Sequence, residues 1–184
     1  MILITTSRRP TQRMRTLCND FHRVIPNSVT LTRGKLSKLG VYEQAHNLQS
    51  DGVLIVERWK GGPGRLQLQT PPFVPCTSTT LYLRGVRTQR EVGRRTRVKR
   101  GLAVTITNTI SEQIRYLATV FAQFLKVPLI EELDKKPIEA SAHFTSVREH
   151  DLRIAFTKPP RQRVIGPVLT VRHRHQPLME RAPY

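Results

Sequence analysis

The chain has 184 residues and a formal charge of +18 at pH 7, from 31 lysines and arginines against 13 acidic residues. So strong a positive balance predicts an anionic partner and says little about fold. No apolar run approaches the ~18 residues of a membrane-spanning helix, so we expect a cytoplasmic protein. Nucleic acid is favoured over an anionic membrane because both amphipathic helices predicted below bury their apolar faces.

The N-terminal elements begin with a short apolar run over residues 2–4, which predicts a buried strand. Apolar residues then recur at helical spacing and stop before Pro26, which predicts a helix. They are Met14, Leu17, Cys18, Phe21 and Ile25. Further elements are predicted as strands over 28–32, 53–56, 65–69 and 79–86, and as a helix over 35–48 with an interruption at Gly40.

The same pattern, a short strand followed by an amphipathic helix, recurs one hundred residues later, after Gly101. Residues 102–104 predict a strand, and Thr109 and Glu112 have the spacing of a helix capping box. A second helical stripe follows at Ile114, Leu117, Ala118, Phe121 and Leu125. Arg15 and Arg115, Leu17 and Leu117, and Phe21 and Phe121 are identical pairs. Strands are expected over 140–147, 152–156 and 167–171, the last as the counterpart of 53–56.

Strands that alternate with helices predict an α/β protein with parallel strand pairs. The repeat predicts two pseudo-symmetric α/β halves that arose by internal duplication and share mixed sheets with helices packed on them. The N-terminal half is expected at about 1–92, a basic connector at about 84–100, and the C-terminal half at about 101–184. Cys18 and Cys76 are predicted to be reduced thiols, although a single bridge between them is the open alternative.

Clusters of cations are the candidate binding residues, because arginine and lysine bind phosphate and arginine also stacks on bases. Free backbone N–H groups at a strand-to-helix turn also favour an anion there. Trp59, beside the glycine-rich turn, is either a stacking platform or the edge of a core. The candidates are Arg8, Arg9, Arg13, Arg33, Lys35, Arg58, Lys60, Arg65, Arg84, Arg87, Arg90, Arg94, Arg95, Arg97, Lys99 and Arg100.

Signals for catalysis are weak. Residues 59–65 are glycine-rich but lack the spacing of a phosphate-binding loop. His173 and His175 have the spacing of a metal pair, yet flanking arginines would repel a cation. We therefore expect no enzymatic activity, metal, cofactor or small-molecule substrate. An RNA-processing or tRNA-modifying enzyme and a structural ribosomal protein are the alternatives.

Several segments together resemble the Brix-domain family of ribosome-biogenesis factors, especially its short archaeal members. They are TTSRRP at residues 5–10, RGK at 33–35, VLIVERWKGGPGRL at 53–66 and the basic segment at 81–100. Many relatives carry a His-Gly-Pro-Thr-like stretch where this chain has residues 74–77, VPCT.

The resemblance implies a single Brix domain over 1–184, whose halves are each similar to the anticodon-binding domain of class II aminoacyl-tRNA synthetases. It also implies RNA binding in precursor-rRNA processing and small-subunit assembly, by holding or annealing precursor rRNA, without catalysis. Assembling small-subunit proteins are further candidate partners, and eukaryotic relatives are nucleolar. By position, the family's basic opening corresponds to Arg8 and Arg9, its glycine-rich turn to residues 61–65 and its basic linking segment to 84–100.

Overall fold

A computed structural model describes residues 1–74, 77–93, 96–107, 111–131, 138–148 and 151–172. These residues form ten strands and three helices. The strands are β1 (Ile2–Thr6), β2 (Ser28–Thr30), β3 (Gly52–Trp59), β4 (Gly62–Gln69), β5 (Ser78–Arg87), β6 (Leu102–Ile106), β7 (Leu129–Ile130), β8 (Ala140–Arg148), β9 (Asp151–Lys158) and β10 (Arg163–Arg172). The helices are α1 (Gln12–Val24), α2 (Lys38–Asn47) and α3 (Glu112–Leu125).

All ten strands belong to one sheet, in the order β2-β1-β3-β4-β5-β10-β9-β8-β6-β7. In the first half β1 is parallel to β2 and β3, and antiparallel pairing then leads to β4 and β5. In the second half β6 is parallel to β7 and β8, and antiparallel pairing leads to β9 and β10. β5 and β10 pair antiparallel at the centre. The α/β class is therefore confirmed, with the same strand order in both halves.

Two details of the predicted architecture are wrong. The halves share one continuous sheet and not several, because β5 and β10 join them edge to edge. The strand over 167–171 lies within β10, whose counterpart is β5, whereas the counterpart of β3 is β8. Apolar runs after a glycine look alike in sequence, and only strand pairing distinguishes them. The origin of the halves by duplication stays a prediction, as do the boundaries of the halves.

One face of the sheet is covered by α1 and α3, which share the larger hydrophobic core with it. The predicted apolar stripes of both helices are buried, as expected for helices with one face on a sheet. A Cβ added to Gly166 would lie 2.6 Å from Cβ of Phe156 and 2.7 Å from Cγ1 of Val24. The glycine therefore permits the close approach of α1 to β9 and β10.

The opposite face of β1, β2 and β3 is covered by α2 and by Phe73, around a smaller core of Leu3, Val53 and Ile55. Only part of the expected α2 stripe is buried, since Val41 and Ala45 pack inward while Leu39 is 66% exposed. The helix begins at Lys38 because the Ser37 side chain accepts a hydrogen bond from the Gly40 N–H.

Other sequence-based details differ at element ends. The predicted capping box is wrong, since Ser111 is the N-cap of α3 and Glu112 is therefore its first residue, not its third. Thr109 itself lies outside the described residues. The two-residue strand β7 was not predicted because it is too short to show a period. Cys18 is a buried free thiol whose pKa is raised to about 12 by burial, and Cys76 lies outside the described residues.

Candidate nucleic-acid interface

The C-terminal ends of β1, β2 and β3 lie together because these strands are parallel neighbours. Their following loops are hydrogen-bonded to each other. The Ser7 N–H donates to the carbonyl of Val56 (2.8 Å), and the Arg58 N–H donates to Oγ of Ser7 (3.3 Å). Arg8 Nε donates to the carbonyl of Leu36 (3.2 Å), in the loop that leads to α2. Three segments distant in sequence therefore form one surface.

The hairpin between β3 and β4 adds a cation to the same surface. Trp59 pairs with Gly62, so Lys60 and Gly61 form a two-residue turn. Both have positive φ, +47° and +86°, as a type I′ hairpin turn requires. The turn holds the exposed Lys60 side chain at the tip, next to exposed Arg58.

The start of α1 is held against the end of β5 by Arg13. Its Nη2 donates to the carbonyl of Val86 (2.7 Å) and to Oε1 of Glu91 (3.1 Å). β5 runs in the same direction as β3, so its last residue, Arg87, comes to the same end of the sheet. Arg13 thus acts mainly in positioning, and exposed Arg87 and Arg90 lie beside it.

We call this surface the basic edge. Its members are exposed cations from four loops that meet at the C-terminal ends of β1, β2, β3 and β5. They are Arg8, Arg9, Lys35, Arg58, Lys60, Arg87 and Arg90.

Two helices begin at the basic edge, which adds positive potential from their N-termini. α1 follows β1, with Thr11 as its N-cap, and α2 follows β2, with Ser37 as its N-cap. Neither helix has an acidic residue in its first turn, whereas α3 has Glu112 there. Backbone N–H groups and the helix dipole both favour an anion at such a position. The N-termini of α1 and α2 in the first half are therefore better suited to bind phosphate than the N-terminus of α3 in the second half.

Arg33 was a sequence candidate, but its side chain is buried with only 6% exposed. Its Nε donates to the carbonyl of Leu36 (3.1 Å), and its Nη1 donates to the carbonyl of Thr6 (3.3 Å). Burial, together with the nearby charge of Arg8, lowers its pKa. We therefore assign Arg33 to holding the β1 and β2 loops together and leave it out of the interface.

The connector is packed onto α1 and is not a freely solvated charge run. Its first residues, 84–87, belong to β5, and Gln89 is fully buried. The Gln89 N–H donates to Oδ2 of Asp20 (2.7 Å), and its Nε2 donates to the carbonyl of Ile165 (2.6 Å). The Val98 N–H donates to the carbonyl of Arg23 near the end of α1 (2.7 Å). These contacts fix the positions of the connector residues around Gln89 and Val98.

The later connector cations lie apart from the basic edge. Arg97 and Lys99 are exposed and line an open cleft with His22 and residues 25–28, at the C-terminal end of α1. Arg100 is exposed, and its N–H donates to Oε2 of Glu139 (3.0 Å). Arg94 and Arg95 lie outside the described residues.

Arg65 and Arg84 occupy a third place, on the face of the sheet opposite α1. Arg65 Nε lies 3.2 Å from Oε2 of Glu57, and its guanidinium lies 5.7 Å from the centre of the Trp59 ring. Arg84 Nη1 donates to Oδ2 of Asp151 (2.9 Å). Apart from Arg13 and Arg33, the described candidates thus divide among the basic edge, the far end of the connector and the sheet face.

One cationic loop is not among the sequence-predicted site residues. Lys158 pairs with Arg163 in the β9–β10 hairpin, and both are exposed, as is Arg161. Val168 of β10 pairs with Arg87, so this hairpin extends beyond the end of β5. Only the pairing of β5 with β10 reveals that it adjoins the basic edge.

The residues described contain no group of three or more His, Cys, Asp or Glu side chains placed to hold a metal ion. Among those residues, no helix combines the length and the apolar character needed to cross a membrane.

Comparison with known proteins finds similar sequences and structures, although no family model matches the chain. A probable Brix domain-containing ribosomal biogenesis protein of Pyrococcus horikoshii is 31% identical over 171 residues, covering 90% of this chain and 75% of that protein. The crystal structure of a probable ribosomal biogenesis protein from Aeropyrum pernix superposes with a TM-score of 0.80 at 22% identity, covering 97% and 98% of the two chains.

A second solved structure is Mil, an archaeal Imp4-like protein, with a TM-score of 0.62 at 19% identity and coverage of 92% of this chain and 96% of that one. At these identities the two solved structures establish a shared fold only. The relative from Pyrococcus, in contrast, is similar in sequence over most of both chains. The chain therefore belongs to the family of Brix domain-containing ribosomal biogenesis proteins.

Proposed function

We propose that this protein is an RNA-binding ribosome biogenesis factor that holds or anneals precursor rRNA during processing and small-subunit assembly, without catalysing a reaction. The observation that carries the proposal is the basic edge, where exposed cations from four loops lie beside the N-termini of α1 and α2. The names of the relatives support the ribosomal context.

The chemistry of the basic edge matches phosphate. Arginine forks and backbone N–H groups both donate hydrogen bonds, and phosphate oxygens only accept them. Glu91, the acid beside Arg87 and Arg90, is engaged by Arg13 and by the N–H of Thr88 (2.6 Å). Its neutralising effect on neighbouring cations is therefore reduced. The surface offers several phosphate contacts from loops that hydrogen bonds hold together, which suits recognition of RNA by shape.

We further propose that the two halves arose by duplication, and that each half resembles the anticodon-binding domain of an aminoacyl-tRNA synthetase. Their strand order and directions match about the β5–β10 pair. β1 and β6 occupy corresponding residues one hundred apart, and so do the starts of α1 and α3. After duplication, the first turn of α1 remained without an acidic residue, which favours RNA binding, whereas the first turn of α3 contains Glu112.

The partners proposed are precursor rRNA first and assembling small-subunit proteins second, in the cytoplasm where ribosomes form. The proposal is tested by crosslinking the tagged protein to RNA in cells and sequencing the attached fragments. We expect enrichment on precursor over mature rRNA at a few sites. A matched variant in which Arg9 and Lys60 are glutamine should lose most of that enrichment while the protein stays folded.

Two outcomes would overturn this function. A peak on tRNA, with product formation in a turnover assay, would indicate an RNA-modifying enzyme. Equal crosslinking to mature rRNA, with the protein retained on finished subunits at high salt, would indicate a structural ribosomal protein.

A further inference from the structure

The face of the sheet opposite α1 carries an exposed row of alternating aromatic and basic side chains. On β4 and β5 the apolar residues Leu66 and Leu81 point into the larger core. Because successive side chains in a strand point to opposite faces, Arg65 and Tyr82 point away from that core. Tyr82 is 45% exposed, and Arg172 on the next strand is also exposed.

Strand register places these residues in one line across the sheet. Arg65 pairs directly with Tyr82, and Tyr82 pairs directly with Arg172. Trp59 lies at the beginning of the line, since the Arg65 guanidinium is 5.7 Å from the centre of its ring. Aromatic and cationic side chains therefore alternate across the surface, in the order Trp59, Arg65, Tyr82 and Arg172.

Arg84 adds a cation beside the row. It is the extra residue at an irregularity in the β5–β10 pairing, and it reaches Asp151 on β9, which is buried. Arg153, next on the same face of β9, is exposed. The acids on this face, Glu57 and Asp151, are each largely buried against an arginine. The exposed charge of the surface is therefore positive.

The outward position of Trp59 is built into the backbone. It is 58% exposed, although tryptophan is among the most apolar side chains by buried area. Gly64 is the extra residue in the β3–β4 pairing, and a Cβ added there would lie 2.1 Å from Cβ of Trp59. Glycine at this position lets the indole stand over the hairpin with Arg65 along its face.

We propose that this surface, which we call the aromatic row, binds a single-stranded segment of RNA. Bases stack on Trp59 and Tyr82, and phosphates contact Arg65, Arg84 and Arg172. Aromatic rings flanked by cations are the general means of holding single strands, because every base has a face that can stack. The inference rests on the proposed RNA-binding function and specifies the form of RNA that one further surface takes.

The geometry selects against duplex RNA. Trp59 and Tyr82 lie on β3 and β5, which are two strand spacings, about 10 Å, apart. Adjacent stacked bases are only about 3.4 Å apart along a strand. Two bases on these rings must therefore be splayed, which a single strand permits and a helical duplex does not.

The protein contains a single tryptophan, so its emission reports directly on the aromatic row. We would titrate the full chain with a mixed-sequence oligoribonucleotide of about 12 nucleotides and with the same sequence as a duplex. We expect saturable quenching of Trp59 by the single strand and little by the duplex. Binding is measured in parallel by the anisotropy of end-labelled RNA.

A matched pair of variants separates stacking from general affinity. Tyr82→Ala should weaken single-strand binding by about 5- to 100-fold. Tyr116→Ala removes a similarly exposed tyrosine (56% against 45% for Tyr82) from α3, on the other face of the sheet, and should leave binding unchanged. Both side chains are at the surface, so both variants should fold.

The inference is overturned if Trp59 emission is unchanged when anisotropy shows RNA bound, or if Tyr82→Ala binds as Tyr116→Ala does. If wild-type binding in that case still depends on Arg9 and Lys60, the proposed function stands and only the aromatic row is rejected. If the wild type binds neither single-stranded nor precursor RNA at low salt, both proposals are rejected.

Discussion

Replacing Arg9 and Lys60 with glutamine should reduce the salt dependence of RNA binding by a predictable amount. Both side chains are exposed, come from different loops and have no ion pair among the described residues. Removing them therefore takes two charges from the basic edge with little effect on folding. Each phosphate contact to a single strand contributes about −0.7 to the slope of log affinity against log salt.

The wild-type magnitude follows from the composition of the basic edge. If Arg8, Arg9, Lys35, Arg58, Lys60, Arg87 and Arg90 each contact one phosphate, the slope is roughly −5. Affinity then falls about a thousandfold between 50 and 200 mM salt. The double variant should have a slope of roughly −3.5, so its affinity falls only about a hundredfold over that range.

The assay is RNA anisotropy at a series of salt concentrations, with a transcript of precursor small-subunit rRNA. The control variant, Arg23→Gln with Arg115→Gln, loses two charges from α1 and α3, away from the basic edge. Its slope should match that of the wild type. Equal slopes in all three proteins would refute the basic edge as the binding surface, and a slope near zero in the wild type would refute electrostatic RNA binding.

Two further predictions concern stability. Gly64→Ala forces a Cβ against Trp59 and should lower the free energy of unfolding by about 1–3 kcal/mol in denaturant titrations. The control Gly62→Ala has open space around its Cβ and should lower it by less than about 0.5 kcal/mol. Equal losses of stability in the two variants would contradict the close approach of Gly64 to Trp59. Asp51 accepts hydrogen bonds from Lys126 and the N-terminal ammonium group, which lower its pKa. A lowered folded-state pKa stabilises the protein above the unfolded-state pKa of about 4, and that stability is lost as the pH falls below it. Asp51→Asn should therefore destabilise the protein at pH 7, by roughly 1 kcal/mol, and much less at pH 3; the same deficit at both pH values would contradict an ionic role.

Much of the secondary structure could be predicted from the sequence because apolar spacing reflects burial directly. The stripes of α1 and α3 and the apolar run in β3 were located this way, since an element with one buried face repeats apolar residues at its own period. The ends of elements were less predictable. α2 begins at Lys38 because Ser37 caps it, three residues after the start predicted at residue 35.

The candidate site could be predicted only as a set of cations. Arg33 and Lys35 are equivalent in sequence, flanking Gly34, yet Arg33 is buried while Lys35 is exposed. The difference depends on the carbonyls of Thr6 and Leu36, which reach Arg33 only in the folded chain. From the sequence, Trp59 could equally be the edge of a core or a stacking platform. In the structure its side chain is exposed, because Gly64 leaves room for it above the hairpin.

The sequence by itself determined the α/β class, the strongly positive charge and the recurrence of a strand–helix unit after one hundred residues. These properties follow from composition and from the local spacing of apolar residues, and neither depends on contacts between distant segments. The tertiary structure alone decided that β5 pairs with β10, that four loops meet at the basic edge, and that Trp59, Arg65, Tyr82 and Arg172 form one row. These loops and side chains become neighbours only through strand pairing between distant segments, and no local sequence pattern predicts which strands pair.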